Sequence, residues 1–213
     1  MQWLIRFRIF RAIHKSSHGF HPAPWQLHYQ SSSKAGAARW NDHDVPEEFN
    51  FANCVLDYWA QMEKGRGGPH PALWEVDAKG EDKWGFERMA CLSRKAASIL
   101  SDTCALSCRD WLMIILPPTA ETYWICLACV RLGITFVPGT PQLTAKEILY
   151  RLCMSKAQCI VANETGAPVV DSVMSNCPTL KTKLLVSDKS YDRWLDFKEL
   201  IRDRERKTDT TFT

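Results

Sequence analysis

The chain has 213 residues, 46% hydrophobic and 24% charged, enough apolar material for one sizeable core and too much for global disorder. Its formal net charge of +3 is unevenly placed: Arg6, Arg8, Arg11, Lys15, Lys34 and Arg39 all precede the first acidic residue, Asp42. Beyond that stretch the chain is slightly acidic, so overall charge gives no case for nucleic-acid binding, and no nucleic-acid partner is expected.

The first forty-one residues alternate bulky apolar side chains with arginines and then turn rich in Ser, His and Gln. On a helix, Trp3, Phe7 and Phe10 share one side. Arg-rich, Ser-containing and acid-poor is the composition of a mitochondrial transit peptide, and residues 1–41 are read as one. Arginines interrupt every apolar core that a secretory signal would need, and no apolar run approaches the roughly 20 residues of a membrane span. The nine cysteines are odd in number and unevenly spaced, mostly among apolar neighbours, which suits small buried hydrophobes better than a disulfide framework.

From Val45 helical and extended signals alternate. Phe49, Ala52, Leu56 and Trp59 make a helical face, which Lys64 to Pro71 breaks with glycines and prolines. Ala72–Val76 and Asp82–Phe86 flank Asp77–Gly80 as a β-hairpin. Glu87–Leu100 returns to helical spacing through Met89, Leu92, Ala96 and Ile99. Trp111–Leu116 is continuously apolar, as a parallel strand buried on both faces must be, and it stops at Pro117-Pro118. Thr119 is placed to cap a helix over 120–132 that ends at Gly133. Ile134–Val137 predicts a strand closed by Pro138-Gly139, and Thr144 to Glu147 is a capping box opening the next helix. Strands over 158–162 and 184–186, a helix over 168–176 and the start of another over 197–201 complete the pattern. Short strand–helix alternation predicts an α/β fold with a mostly parallel sheet and flanking helices, which binds ligands at the carboxyl ends of its strands. Residues 42–202 form that domain, and 203–213 read as a polar tail without a packing pattern.

Catalytic devices are scarce. There is no P-loop and no G-x-G-x-x-G after a strand, and the last glycine is Gly166. Gly65, Gly67 and Gly68 precede Pro69 and Pro71 and suit a surface turn. Cys126 and Cys129 form a C-x-x-C within a helix, away from the helix N-terminus that would activate the first sulfur. Cys104 and Cys108 lack the partners of a zinc site, and outside the leader only His43 and His70 remain. No catalytic residue and no metal ligand is assigned.

One resemblance goes further. Val45–Ala52, Leu92–Lys95, Asp110–Pro117, Val137–Thr144 and Ile148–Leu152, in this order and spacing, resemble the medium-chain acyl-CoA synthetases, AMP-forming ligases of the mitochondrial matrix. The similarity runs from about Val45 to Ile201. It implies the N-terminal part of the adenylate-forming domain, and a reaction in which ATP, with Mg²⁺, activates a medium-chain fatty acid to acyl-adenylate and CoA displaces AMP. Of the ligand contacts it implies, only Gln142 maps here, beside CoA; its other reading is a plain strand-to-helix loop residue. The family's phosphate loop is expected shortly after Ile201, and its adenine, ribose and lid segments later still. The chain therefore reads as a shortened member, inactive alone, with a non-catalytic binding or unstable product as the alternative.

Overall fold

The computed structural model of the chain describes residues 6–7, 48–64, 71–77 and 80–210. Most of residues 1–41, His43, the glycine cluster at 65–68 and His70 lie outside the described residues. Within residues 1–41, β1 (Arg6–Phe7) is extended, where a helical turn was expected. It pairs antiparallel with β2 (Leu73–Asp77), which gives its backbone groups hydrogen-bond partners.

Asn50 starts the first helical segment: its Oδ1 accepts the amides of Ala52 and Asn53 at 3.1 and 3.3 Å. The backbone then winds as a π-turn (Ala52–Asp57) into α1 (Tyr58–Glu63). Ala52, Leu56 and Ala60, four residues apart, form the buried stripe, while Phe49 falls outside it and is exposed. The expected hairpin is present: β2 turns into β3 (Gly80–Trp84), with Leu73 opposite Trp84 and Asp77 opposite Gly80. It stops at Trp84, because Gly85 introduces α2 (Phe86–Ser98), which passes into a π-turn (Ile99–Thr103).

The second part is a five-stranded sheet. Its elements are β4 (Trp111–Ile115), α3 (Ala120–Leu132), β5 (Thr135–Gly139), α4 (Ala145–Ser155), β6 (Cys159–Ala162), α5 (Ala167–Val173), β7 (Thr182–Leu185), β8 (Leu195–Asp196) and α6 (Phe197–Thr210). All neighbours pair parallel, in the order β5-β4-β6-β7-β8. The chain therefore leaves β4 towards one edge through α3, then crosses back over it through α4 to reach β6.

Alternation along the central strands feeds two cores. Leu112, Ile114, Val161 and Leu184 pack against α2, α3 and α6, with Ile125, Ala128 and Phe197. Met113, Ile115, Ile160 and Leu185 face α4 and α5, with Ile148, Leu152 and Val170. Complete burial of side chains such as Ile125 and Phe197 contributes roughly 1.5–3 kcal/mol each.

Local chemistry sets the boundaries. Gly133 takes φ +68° after α3, and a Cβ there would meet the Cys108 sulfur at 2.8 Å. Thr144 and Glu147 form the expected capping box: the Thr144 hydroxyl accepts the Glu147 amide, and the Glu147 carboxylate accepts the Thr144 amide at 2.8 Å. β5 continues through Pro138-Gly139 rather than stopping before them, since an edge strand tolerates a proline that donates no ladder bond. At Gly139 a Cβ would lie 2.7 Å from Leu143 Cδ1 and 3.3 Å from the Ile114 carbonyl oxygen, so only glycine fits without displacement.

Two features went beyond the sequence expectation. β8 is a strand of only two residues, followed at once by α6, whose first turn is capped by Asp196 Oδ1 accepting the Glu199 amide at 2.9 Å. The stretch after Arg202, expected to have no packing pattern, continues α6 to Thr210. Arg204 pairs with Asp102 at 2.7 Å, and Glu205 with Lys95 at 3.1 Å and Arg88 at 3.3 Å, so the charges serve packing against α2 and its π-turn.

Candidate functional site

The strand order places a crevice where connections leave β4 and β6 in opposite directions, the usual ligand position of an open parallel sheet. A cleft of about 380 Å³ lies there. Its floor is the β4–α3 loop, its sides are the loops after β6 and β7 with Lys198 of α6, and the β2–β3 hairpin forms a wall.

The floor follows from Pro117-Pro118, which end β4 and turn the chain. The Pro117 carbonyl accepts the Thr119 amide at 2.8 Å and the Thr122 hydroxyl at 2.7 Å. Thr119 occupies the cap position of α3 with an extended backbone, but its hydroxyl makes no capping bond. After β6, Asn163 shapes the turn, its Oδ1 accepting the Gly166 amide at 3.0 Å. Beyond β7 the Ser187 hydroxyl donates a short hydrogen bond to Glu164 and accepts the Lys189 amide at 3.0 Å.

Electrostatics are one-sided. Glu75, Asp82, Glu121, Glu164 and Asp188 line the cleft, and Lys198 is its single cationic side chain among the described residues. Lys198 is already engaged, 2.7 Å from Asp188 and 3.9 Å from Glu121. The wall residue Trp84 meets Trp124 of α3 edge-on, with ring centroids 5.2 Å apart. Both indole N–H groups are buried without a hydrogen-bond partner among the described residues. The arrangement repels phosphate and shows no cluster of three His, Cys, Asp or Glu side chains suited to a metal ion among the described residues.

Gln142 is exposed in the turn after β5, closed by the Leu143 amide donating to the Thr140 carbonyl at 3.1 Å, and does not line the cleft. Cys126 and Cys129 lie within α3. Burial pushes the Cys126 thiol up to about 11 and that of Cys129 higher still, which keeps both protonated at neutral pH. Cys104 and Cys159 are both buried, and the Cys159 thiol lies 3.9 Å from the Ile160 carbonyl oxygen. The convergence of Glu164, Ser187, Asp188 and Lys198 was not visible in the sequence; only the rule that ligands gather at strand ends pointed to these loops.

The family model described as "AMP-binding enzyme" matches residues 61–211, most of the chain. The chain belongs to the AMP-binding enzyme family. Among curated members it is 76% identical over 160 residues to human mitochondrial acyl-coenzyme A synthetase ACSM6, covering 74% of this chain and 33% of that protein. It is 53% identical over 204 residues to human mitochondrial acyl-coenzyme A synthetase ACSM1, covering 95% and 35% respectively. The chain thus spans about a third of the length of these curated relatives. The resemblance read from Val45 to Ile201 is in accord with these matches.

Solved CoA ligases share the fold. An anthranilate CoA ligase, AuaEII, in complex with anthranoyl-AMP superposes with a TM-score of 0.60 at 16% identity, over 75% of this chain and 28% of that one. A benzoate CoA ligase from Burkholderia xenovorans LB400 gives 0.56 at 21%, over 73% and 28%. The parallel sheet with flanking helices is therefore a fold shared with part of these CoA ligases.

Proposed function

We propose that these residues form the opening sheet of an AMP-forming, medium-chain acyl-CoA synthetase of the mitochondrial matrix, and that residues 1–213 alone do not catalyse its reaction. In that reaction ATP, with Mg²⁺, and a medium-chain fatty acid give acyl-adenylate and pyrophosphate, and CoA then displaces AMP. Residues 1–41 act as the targeting segment, and Gln142, exposed beyond the carboxyl end of β5, faces CoA. The relatives' names, mitochondrial acyl-coenzyme A synthetases, support the assignment.

One observation carries the inactivity. The only cationic side chain described at the cleft is held by Asp188 and Glu121, and carboxylates line the remainder. A triphosphate does not fit that donor set, and the chain has no glycine after Gly166 from which to build a backbone cradle. Preorganised donors for the developing charge are usually the largest catalytic contribution, so without them adenylation has no means of acceleration here. The cleft instead serves as framework, with the phosphate-binding groups supplied by residues outside this sequence.

ATP–pyrophosphate exchange with octanoate and Mg²⁺, run on the 213-residue chain with a thermal melt on the same preparation, tests the reading. No exchange together with a cooperative melt is expected. Exchange above background would overturn it and place a phosphate site among these residues.

A further inference from the structure

The sheet end remote from the cleft carries chemistry that the ligase reading does not use. Cys153 sits in the last turns of α4, and Cys177 follows the 3₁₀ turn (Met174–Asn176) that ends α5. The two segments pack together through Leu152, Val173 and Leu180. Cys153 Sγ lies 3.9 Å from the carbonyl oxygen of Asn176, in the peptide bond that leads into Cys177.

Accessibility separates this pair from the other cysteines. Cys108 and Cys153 are the exposed thiols, and Cys177 is buried. Cys104 and Cys159 are both buried and shielded from solutes. Cys177 is anchored by backbone bonds on both sides, its amide donating to Met174 at 2.9 Å and its carbonyl accepting from Leu180 at 3.0 Å. Its backbone is therefore fixed next to the Asn176 carbonyl that Cys153 Sγ reaches.

We propose that Cys153 and Cys177 are a peroxide-oxidisable pair that closes into a disulfide and fastens the end of α4 to the exit of α5. The Cys153 thiolate attacks one oxygen of hydrogen peroxide, breaking the O–O bond, and becomes a sulfenic acid as hydroxide leaves. Cys177 then attacks the Cys153 sulfur and gives up its proton, forming the S–S bond and expelling the sulfenic hydroxyl as water. The two thiols lose two electrons and two hydrogens, and one peroxide becomes two waters. Cys153 is exposed and Cys177 buried, which assigns the first encounter with peroxide to Cys153, and burial also pushes the Cys177 thiol up.

The test treats the native 213-residue chain with stoichiometric hydrogen peroxide, alkylates the remaining thiols in denaturant, and maps the peptides by mass. The expected product has lost two hydrogens and two alkylatable thiols, with Cys153 and Cys177 linked, and a thiol reductant reverses both changes. Cys177→Ser should leave Cys153 as a sulfenic acid that a dimedone probe captures, whereas Cys153→Ser should leave Cys177 reduced. Oxidation of Cys108 as fast as that of Cys153 would overturn the proposal. A mixture of linkages matching that obtained in urea would also overturn it.

Discussion

Arg131, at the end of α3, forks onto Asp57 in the first helical segment, with Nη1 2.8 Å and Nη2 2.7 Å from the two carboxylate oxygens. Its Nε donates to the Ser93 hydroxyl of α2 at 3.0 Å, so one guanidinium ties three helices. The side chain is only 7% exposed. Removing one partner of a buried pair leaves the other short of compensation. Arg131→Met should therefore destabilise the chain by about 2–3 kcal/mol, moderated because Arg94 still reaches Asp57. Arg94 itself is half exposed, and Arg94→Met should cost less than about 1 kcal/mol. Urea midpoints of the two variants check the contrast, and equal shifts would refute it.

Gly133→Ala combines two penalties, a left-handed backbone and a Cβ 2.8 Å from the Cys108 sulfur. The expected loss is about 2 kcal/mol. Replacing Cys108 by Ala in the same chain should recover the steric part and leave the backbone part. A thermal melt series of single and double variants measures both.

The C-x-x-C pair of α3 should behave as core rather than as a redox centre. With its thiol near 11, Cys126 is almost wholly protonated at pH 7.5, and Cys129 more completely so. Iodoacetamide on the native chain at that pH should label Cys108 and Cys153 well before either. Modification of Cys126 or Cys129 at a comparable rate would show that α3 opens.

Acid should loosen the junction of α6 with α2. Hydrogen bonds from Arg204 and Ser101 hold the Asp102 carboxyl below its usual range, and Lys95 and Arg88 do the same for Glu205. A carboxyl lowered in the folded state contributes stability above its unfolded value, and that contribution disappears as pH falls through the folded one. The melting temperature should therefore fall as pH drops from neutrality to below the carboxylate range. The slope should be shallower in an Arg204→Gln, Lys95→Met double variant, because its carboxyls titrate more nearly as in the unfolded chain. Parallel curves would remove these pairs from the acid response.

Periodicity made most of the scaffold legible. Trp111–Leu116 announced a strand buried on both faces because both cores need its side chains, and Thr144 with Glu147 announced a helix start because the capping box is local. Contacts made between distant positions were not legible. Arg204 and Glu205 looked like a solvated tail since their partners, Asp102 and Lys95, precede them by about a hundred residues. Asn50 gave no sign that its side-chain amide would reach the Val130 carbonyl of α3, 2.8 Å away. The cleft combines side chains from five separate segments, each unremarkable alone; its sign and the pairing of Lys198 emerge only when the sheet closes.

The order β5-β4-β6 has a consequence for synthesis. β4 emerges from the ribosome first of the five parallel strands, yet both of its neighbours are made later. Until Thr135–Gly139 and then Cys159–Ala162 have followed, its apolar ribbon has open hydrogen-bonding edges on either side. Such a strand is an aggregation hazard while it waits, so chaperone demand should peak as the nascent chain passes β4 and fall once β6 has left the exit tunnel.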